Sequence, residues 1–191
     1  HHGCDGQAGW APDLDELRSK VTDRTRAIGV INPNNPTGAV YPRDVLEGIA
    51  QIAREHDLIV MADEIYDKIL YDGASHTSLA ATAPDLLCLT FNGLSKAYRV
   101  AGLRSGWLAI TGPTEHARHY IEGLAILANL PLCANLPAPP AIPMAPGGYP
   151  STTEPLLPGA RRTHPRNLLC APALPPHRAS LTSPRTPTAP D

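Results

Sequence analysis

No block of basic residues, no long apolar run and no paired cysteines occur in this chain of 191 residues. Sixteen Lys and Arg stand against eighteen Asp and Glu, a formal net charge of −2 at pH 7. Nucleic acid and an anionic membrane surface are therefore not expected partners, because both are held by concentrated positive charge. No apolar stretch approaches the ~20 residues of a membrane span. Cys4, Cys88, Cys133 and Cys170 are scattered without paired spacing. That argues against a metal site or a disulfide scaffold and fits a reducing cytoplasm. Cys88 reads as a small core residue. The eight histidines do not cluster either, and His56, His76, His116 and His119 read as surface residues on helix ends or loops. The opening His-His-Gly-Cys-Asp reads as neither a signal peptide nor a credible tag.

What is present is an alternation of short apolar runs with helical patterns. A short helix is expected over 12–20, with Asp13, Asp15 and Glu16 favouring its first turn. Strands are expected at 27–32, 58–62, 86–91 and 106–111. Arg43 to His56 reads as an amphipathic helix whose buried stripe is Val45, Ile49, Ile52 and Ala53. Ile65 to Tyr71 reads as a short helix closed by Asp72-Gly73. Glu115 to Asn129 reads as a longer helix with Tyr120, Leu124 and Leu127 on one face. The alternation points to an α/β fold, a mostly parallel sheet with helices on both faces.

Three of these strand ends carry chemistry. Leu89-Thr-Phe-Asn-Gly-Leu-Ser-Lys96 is an apolar strand ending in a Gly-containing turn, and Arg104 follows eight residues later. Alone, Lys96 reads as a solvated surface residue. Held rigidly, with its proton lost through desolvation or a neighbouring cation, it can form an imine with an aldehyde cofactor. Ala27-Ile-Gly-Val-Ile-Asn-Pro-Asn-Asn-Pro-Thr-Gly38 runs a strand into a loop stiffened by two prolines, which presents amide side chains including Asn35. Alone it is a tight β-to-α turn. Leu58-Ile-Val-Met-Ala-Asp-Glu-Ile-Tyr66 places a carboxylate, Asp63, at a buried strand's end and a phenol three residues on. Alone, Asp63 and Glu64 serve equally well as helix-capping acids. In open α/β sheets ligands bind beyond the carboxyl ends of the strands. An amide, a carboxylate, a phenol, an amine and a guanidinium would therefore converge on one crevice. Together they meet the needs of pyridoxal 5'-phosphate: an imine lysine, a ring-nitrogen partner, donors to the ring oxygen and a phosphate cation.

Over about 10–149 the chain resembles the class I aminotransferases, the fold-type I pyridoxal-phosphate enzymes. The segments that carry the resemblance are 32–38, 62–67 and Asn92-Gly-Leu-Ser-Lys-Ala-Tyr-Arg-Val-Ala-Gly-Leu-Arg-Ser-Gly-Trp107. They are most similar to those of bacterial alanine (glutamate–pyruvate) aminotransferases. The resemblance implies a catalytic lysine at Lys96, a pyridine-nitrogen partner at Asp63, and ring-oxygen donors at Tyr66 and Asn35. It implies a phosphate-binding fork at Arg104 and a further phosphate contact at Ser95. Gly93 stands where many relatives carry a phosphate-binding serine. The resemblance further implies amino-group transfer between a small L-amino acid (alanine or glutamate) and a 2-oxo acid, a homodimer, and one antiparallel strand, for which 106–111 is the candidate. A lyase on the same fold and a non-catalytic aminotransferase-like module are the alternatives.

After Leu130 the composition changes. Sixteen of the 22 prolines fall in 131–191, with Glu154 and Asp191 the acids there. Each proline inside a helix costs about 3 kcal/mol, so no continuous helix is expected over 137–146. Residues 1–130 read as a partial cofactor-binding large domain, 131–149 as a degraded interdomain segment and 150–191 as an irregular tail, either genuine or a corrupted reading. Relatives are roughly twice as long, so the chain is expected to be an incomplete and inactive piece, or a product that does not fold.

Overall fold

A computed structural model describes residues 9–129 and residue 142. The elements, in chain order, are α1 (Leu14–Ser19), β1 (Ala27–Ile31), α2 (Arg43–Glu55), β2 (Ile59–Asp63), α3 (Leu79–Thr82), β3 (Cys88–Gly93), β4 (Gly106–Thr111) and α4 (Arg118–Asn129). A 3-10 turn at Ala101–Leu103 precedes β4, and another at Glu115–Ala117 leads into α4. The four strands form one sheet in the order β1-β2-β3-β4. The first three run parallel, and β4 runs antiparallel to β3, as the resemblance implied. The expectations for 131–149 and 150–191, and for Cys4, Cys133 and Cys170, fall outside the described residues, residue 142 apart.

Strand alternation and helical period together build the core. Ile28, Val30, Val60, Ala62 and Cys88 line one face of the sheet, and Leu46, Ile49, Ile52 and Ala53 of α2 pack on them with Leu79 of α3. Leu14 and Leu17 of α1 close the edge of this cluster. Of the stripe expected on α2, Ile49, Ile52 and Ala53 are buried and Val45 only partly so, while Leu46 and Ala50 are buried in addition. A helix packed flat on a sheet buries a wider arc than four positions at i, i+4, i+7 and i+8. On the opposite face Ile31 and Phe91 remain more than a third exposed. Asp13 caps α1, its carboxylate accepting the amides of Asp15 and Glu16 at 2.9 and 3.0 Å.

Two expected elements differ. The helix over 65–71 is instead a chain of single turns, closed by amide-to-carbonyl bonds from Asp67 to Glu64 (3.0 Å) and from Ile69 to Tyr66 (2.8 Å). Asp63 Oδ1 takes the Ile65 amide at 3.1 Å, a local bond that competes with helical bonding. Asp72 and Gly73 then turn left-handed (φ 54° and 74°), as the Asp-Gly pair suggested. The strand expected at 86–91 lies two residues later, because Asn92 and Gly93 pair with Trp107 and Gly106 of β4.

Candidate functional site

The register levels the strand ends. Ile31 lies beside Asp63, and Asp63 beside Phe91. Beyond that row opens a cavity of about 440 Å³. It is lined by Asn35, Asp63, Tyr66, Ser95, Lys96 and Arg104, all six residues singled out from the sequence. Ile31, Ile65, Phe91, Asn92 and Ala101 line it too. Sequence reasoning missed these five. Ile31 and Phe91 are signalled only by the strand register, which sets them either side of Asp63, and Ile65 by its place beside Tyr66.

The loop after β1 is braced by its own side chains. Asn32 is buried and accepts the Tyr41 amide at 2.9 Å. Asn34 Oδ1 accepts the Thr37 hydroxyl at 2.7 Å, and the Asn34 amide donates to Ala39 O at 2.8 Å. Two of the three asparagines thus hold the loop's shape, and the third, Asn35, faces the cavity. At the end of β2 the chain alternates sides: Asp63 lines the cavity, whereas Glu64 is buried away from it.

Lys96 sits on a loop pinned at both shoulders by Leu94 and Ala97, which are buried. The Leu94 amide donates to Ser105 O (3.0 Å) and the Val100 amide to Leu94 O (3.2 Å). The Lys96 ammonium lies 5.8 Å from the centre of the Tyr66 ring, within cation–π range. Arg104 adopts a left-handed backbone (φ 46°, ψ 44°), and its guanidinium donates to Ala101 O at 2.8 Å. Lys96 and Arg104 are exposed, while Asp63, Tyr66 and Ser95 are half-buried. The desolvation expected around Lys96 is therefore not supplied by the described residues.

Gly93 explains itself sterically. It pairs with Gly106, and a Cβ on it would stand 3.0 Å from both Gly106 Cα and Ser105 O. A serine there would need its neighbours ahead of and in β4 to give by a few tenths of an ångström.

A larger cavity of about 550 Å³ runs along β1 and is lined mainly by apolar residues such as Leu17, Val21, Ile28, Val30 and Ile49. It gathers no acid and no amine beyond Lys20, whereas the smaller cavity gathers Asp63, Lys96 and Arg104. His56, His116 and His119 are exposed as expected. His76 is not: its side chain is only 10% exposed and lies against Glu64. Cys88 is fully buried, which raises its thiol above the ordinary value.

A family model for class I and II aminotransferases matches residues 3–142. The chain belongs to that family. Among curated relatives it is 60% identical over 168 residues to an alanine aminotransferase of Mycobacterium bovis, covering 88% of this chain and 39% of the relative. It is 59% identical over 167 residues to the glutamate-pyruvate aminotransferase AlaA of Escherichia coli K12, covering 87% and 41%. A crystal structure of an Escherichia coli aminotransferase superposes with TM-score 0.79 at 60% identity, over 83% of this chain and 39% of that one. An alanine aminotransferase structure from Pyrococcus furiosus gives TM-score 0.78 at 36% identity, over 84% and 41%. The chain thus spans about two fifths of the length of the relatives it matches. Within this aminotransferase fold, no helix of the described residues is long and apolar enough to cross a membrane.

Proposed function

We propose that this aminotransferase chain grips pyridoxal 5'-phosphate in the 440 Å³ cavity as part of a site for transamination between an L-amino acid, alanine or glutamate, and a 2-oxo acid, the piece by itself being incomplete and turning over little or not at all. One observation carries the reading: the six polar residues singled out from the sequence, with Asn92 beside them, line a single crevice at three strand ends. The volume suits a small organic ligand, for which roughly 300–1,000 Å³ is usual. The donor set also fits the cofactor's chemistry. The Lys96 amine would hold the cofactor at its aldehyde carbon and would carry a proton at the substrate's α-carbon. The Asp63 carboxylate holds the proton of the ring nitrogen. Tyr66 and Asn35 donate to the ring oxygen, and Arg104 and Ser95 hold the phosphate, Arg104 by its two-pronged fork. The bound cofactor supplies an electron sink for the α-carbon, and this chain supplies orientation and charge around it.

The names of the relatives, alanine and glutamate-pyruvate aminotransferases, support the substrate pair. A homodimer in the reducing cytoplasm completes the reading. Exposed Ile126 and Leu127 on α4 support an apolar contact between copies, and sedimentation velocity is expected to give a dimer mass.

The deciding experiment is absorbance of the purified chain titrated with pyridoxal phosphate. A band near the boundary of the visible and ultraviolet is expected in the wild type and absent in Lys96→Ala. A wild type that develops no band would refute the cofactor assignment. Release of 2-oxo acid that depends on an added 2-oxo acid acceptor then separates transfer from elimination.

A further inference from the structure

Glu64 stands between Asp63 and Tyr66, yet its side chain leaves the cavity and is buried, with the residue 5% exposed. Its backbone amide, its carbonyl and one carboxylate oxygen are all hydrogen-bonded. Its amide donates to Phe91 O (2.9 Å), and its carbonyl accepts the Asp67 amide (3.0 Å). Its Oε1 accepts both the Ser78 hydroxyl and the Leu79 amide at 3.0 Å, so it caps the first turn of α3 from a distance in sequence. His76 Nε2, with no hydrogen-bond partner among the described residues, lies 3.9 Å from Glu64 Oε2. Asp67 repels this carboxylate, and the carboxylate in turn pushes the buried Cys88 thiol up.

We infer that Glu64 is a positioning residue for the cavity. Anchored behind the sheet by Ser78 and Leu79, it fixes the turn that sets Tyr66 against Asp63. The inference rests on the proposed cofactor reading. Its physical basis is that a buried carboxylate with two donors is hard to displace, because leaving either donor unpaired costs more than the bond contributes. A chain pinned at backbone and side chain of residue 64 leaves little freedom to residues 65–67.

The test compares Glu64→Ala, Glu64→Gln and Ser78→Ala with the wild type. Amide hydrogen exchange is read in the cofactor-free chain, and equilibrium binding of pyridoxal phosphate by absorbance. Glu64→Ala is expected to speed exchange at residues 65–69 and 79 by about tenfold or more, and to weaken binding by about tenfold, the size of losing a charged hydrogen bond. Glu64→Gln, which keeps the acceptor, is expected to restore both to within about threefold of wild type. Unchanged exchange at 65–69 in Glu64→Ala, or a Gln variant no better than the Ala one, would overturn the inference. Should circular dichroism show Glu64→Ala unfolded, Ser78→Ala decides: exchange must rise at 65–69 and not in α2, and a uniform rise or none overturns it. A wild type that fails to bind pyridoxal phosphate refutes the cofactor reading alone, since the exchange comparison still reads the anchor.

Discussion

Asp63 illustrates how one side chain is placed by its neighbours. Its Oδ1 accepts the Ile65 amide at 3.1 Å, which ties the carboxylate to the turn after β2, level with Ile31 and Phe91 on the neighbouring strands. Under the proposed function the carboxylate holds a ring-nitrogen proton, an interaction to a charged group of about 1.5–3 kcal/mol. Asp63→Ala is expected to weaken pyridoxal phosphate binding by about ten- to a hundredfold and abolish chemistry, whereas Asp63→Glu is milder. Equilibrium titration and an amino-transfer assay check this, and equal activity in both variants contradicts the role. Asp63, Lys96 and Arg104 were legible in the sequence because residue type and strand-end position together limited what they could do. Glu64 and His76 were not. Glu64 read as a capping acid and His76 as a surface residue, and no local pattern announces that residues 12 apart in sequence share a buried pocket.

Among the elements, α2 is held to the sheet by its buried stripe and to the turn that precedes β3 by an ion pair. Arg54 makes a two-pronged bridge to Asp85, with both nitrogen–oxygen distances 2.6 Å. That bond to the guanidinium holds the Asp85 carboxyl at about 2, below its ordinary 3.8. A depressed carboxyl contributes stability that is present above its unfolded value and lost as pH falls through the folded one. Arg54→Gln is therefore expected to return the Asp85 titration toward 3.8, followed by carboxyl carbon shifts in NMR. An unmoved titration would show that the bridge is not formed in solution. Strands and long helices were readable from their apolar period, and β4 was found at its expected bounds of 106–111. The segment after β2 was not readable, because Asp63 and Glu64 draw its first amides and its neighbours into side-chain bonds that a periodicity argument does not contain.

At the scale of the whole chain the acid groups act in opposite directions. Asp85, held by Arg54, and Glu55, held by Arg18, both lie below their ordinary values and favour the folded state at neutral pH. Glu64 lies above its ordinary 4.5, chiefly because burial disfavours its charge. The folded chain keeps that proton where the unfolded chain has released it, so stability falls as pH rises from about 4.5 through the raised value. Glu64→Gln is expected to flatten this decline in urea midpoints measured between pH 4 and 7. Identical slopes for the two proteins would contradict the assignment.

Residue order by itself determined the α/β class, the strand–helix alternation and the identity of six cavity residues, because apolar period and strand-end chemistry are local properties written along the chain. The tertiary structure alone decided the register that levels Ile31, Asp63 and Phe91, the close Gly93–Gly106 approach, and the burial of Glu64 beside His76. Each of these is a contact between segments distant in sequence. Its energy comes from packing and desolvation, which exist only once the chain has closed on itself.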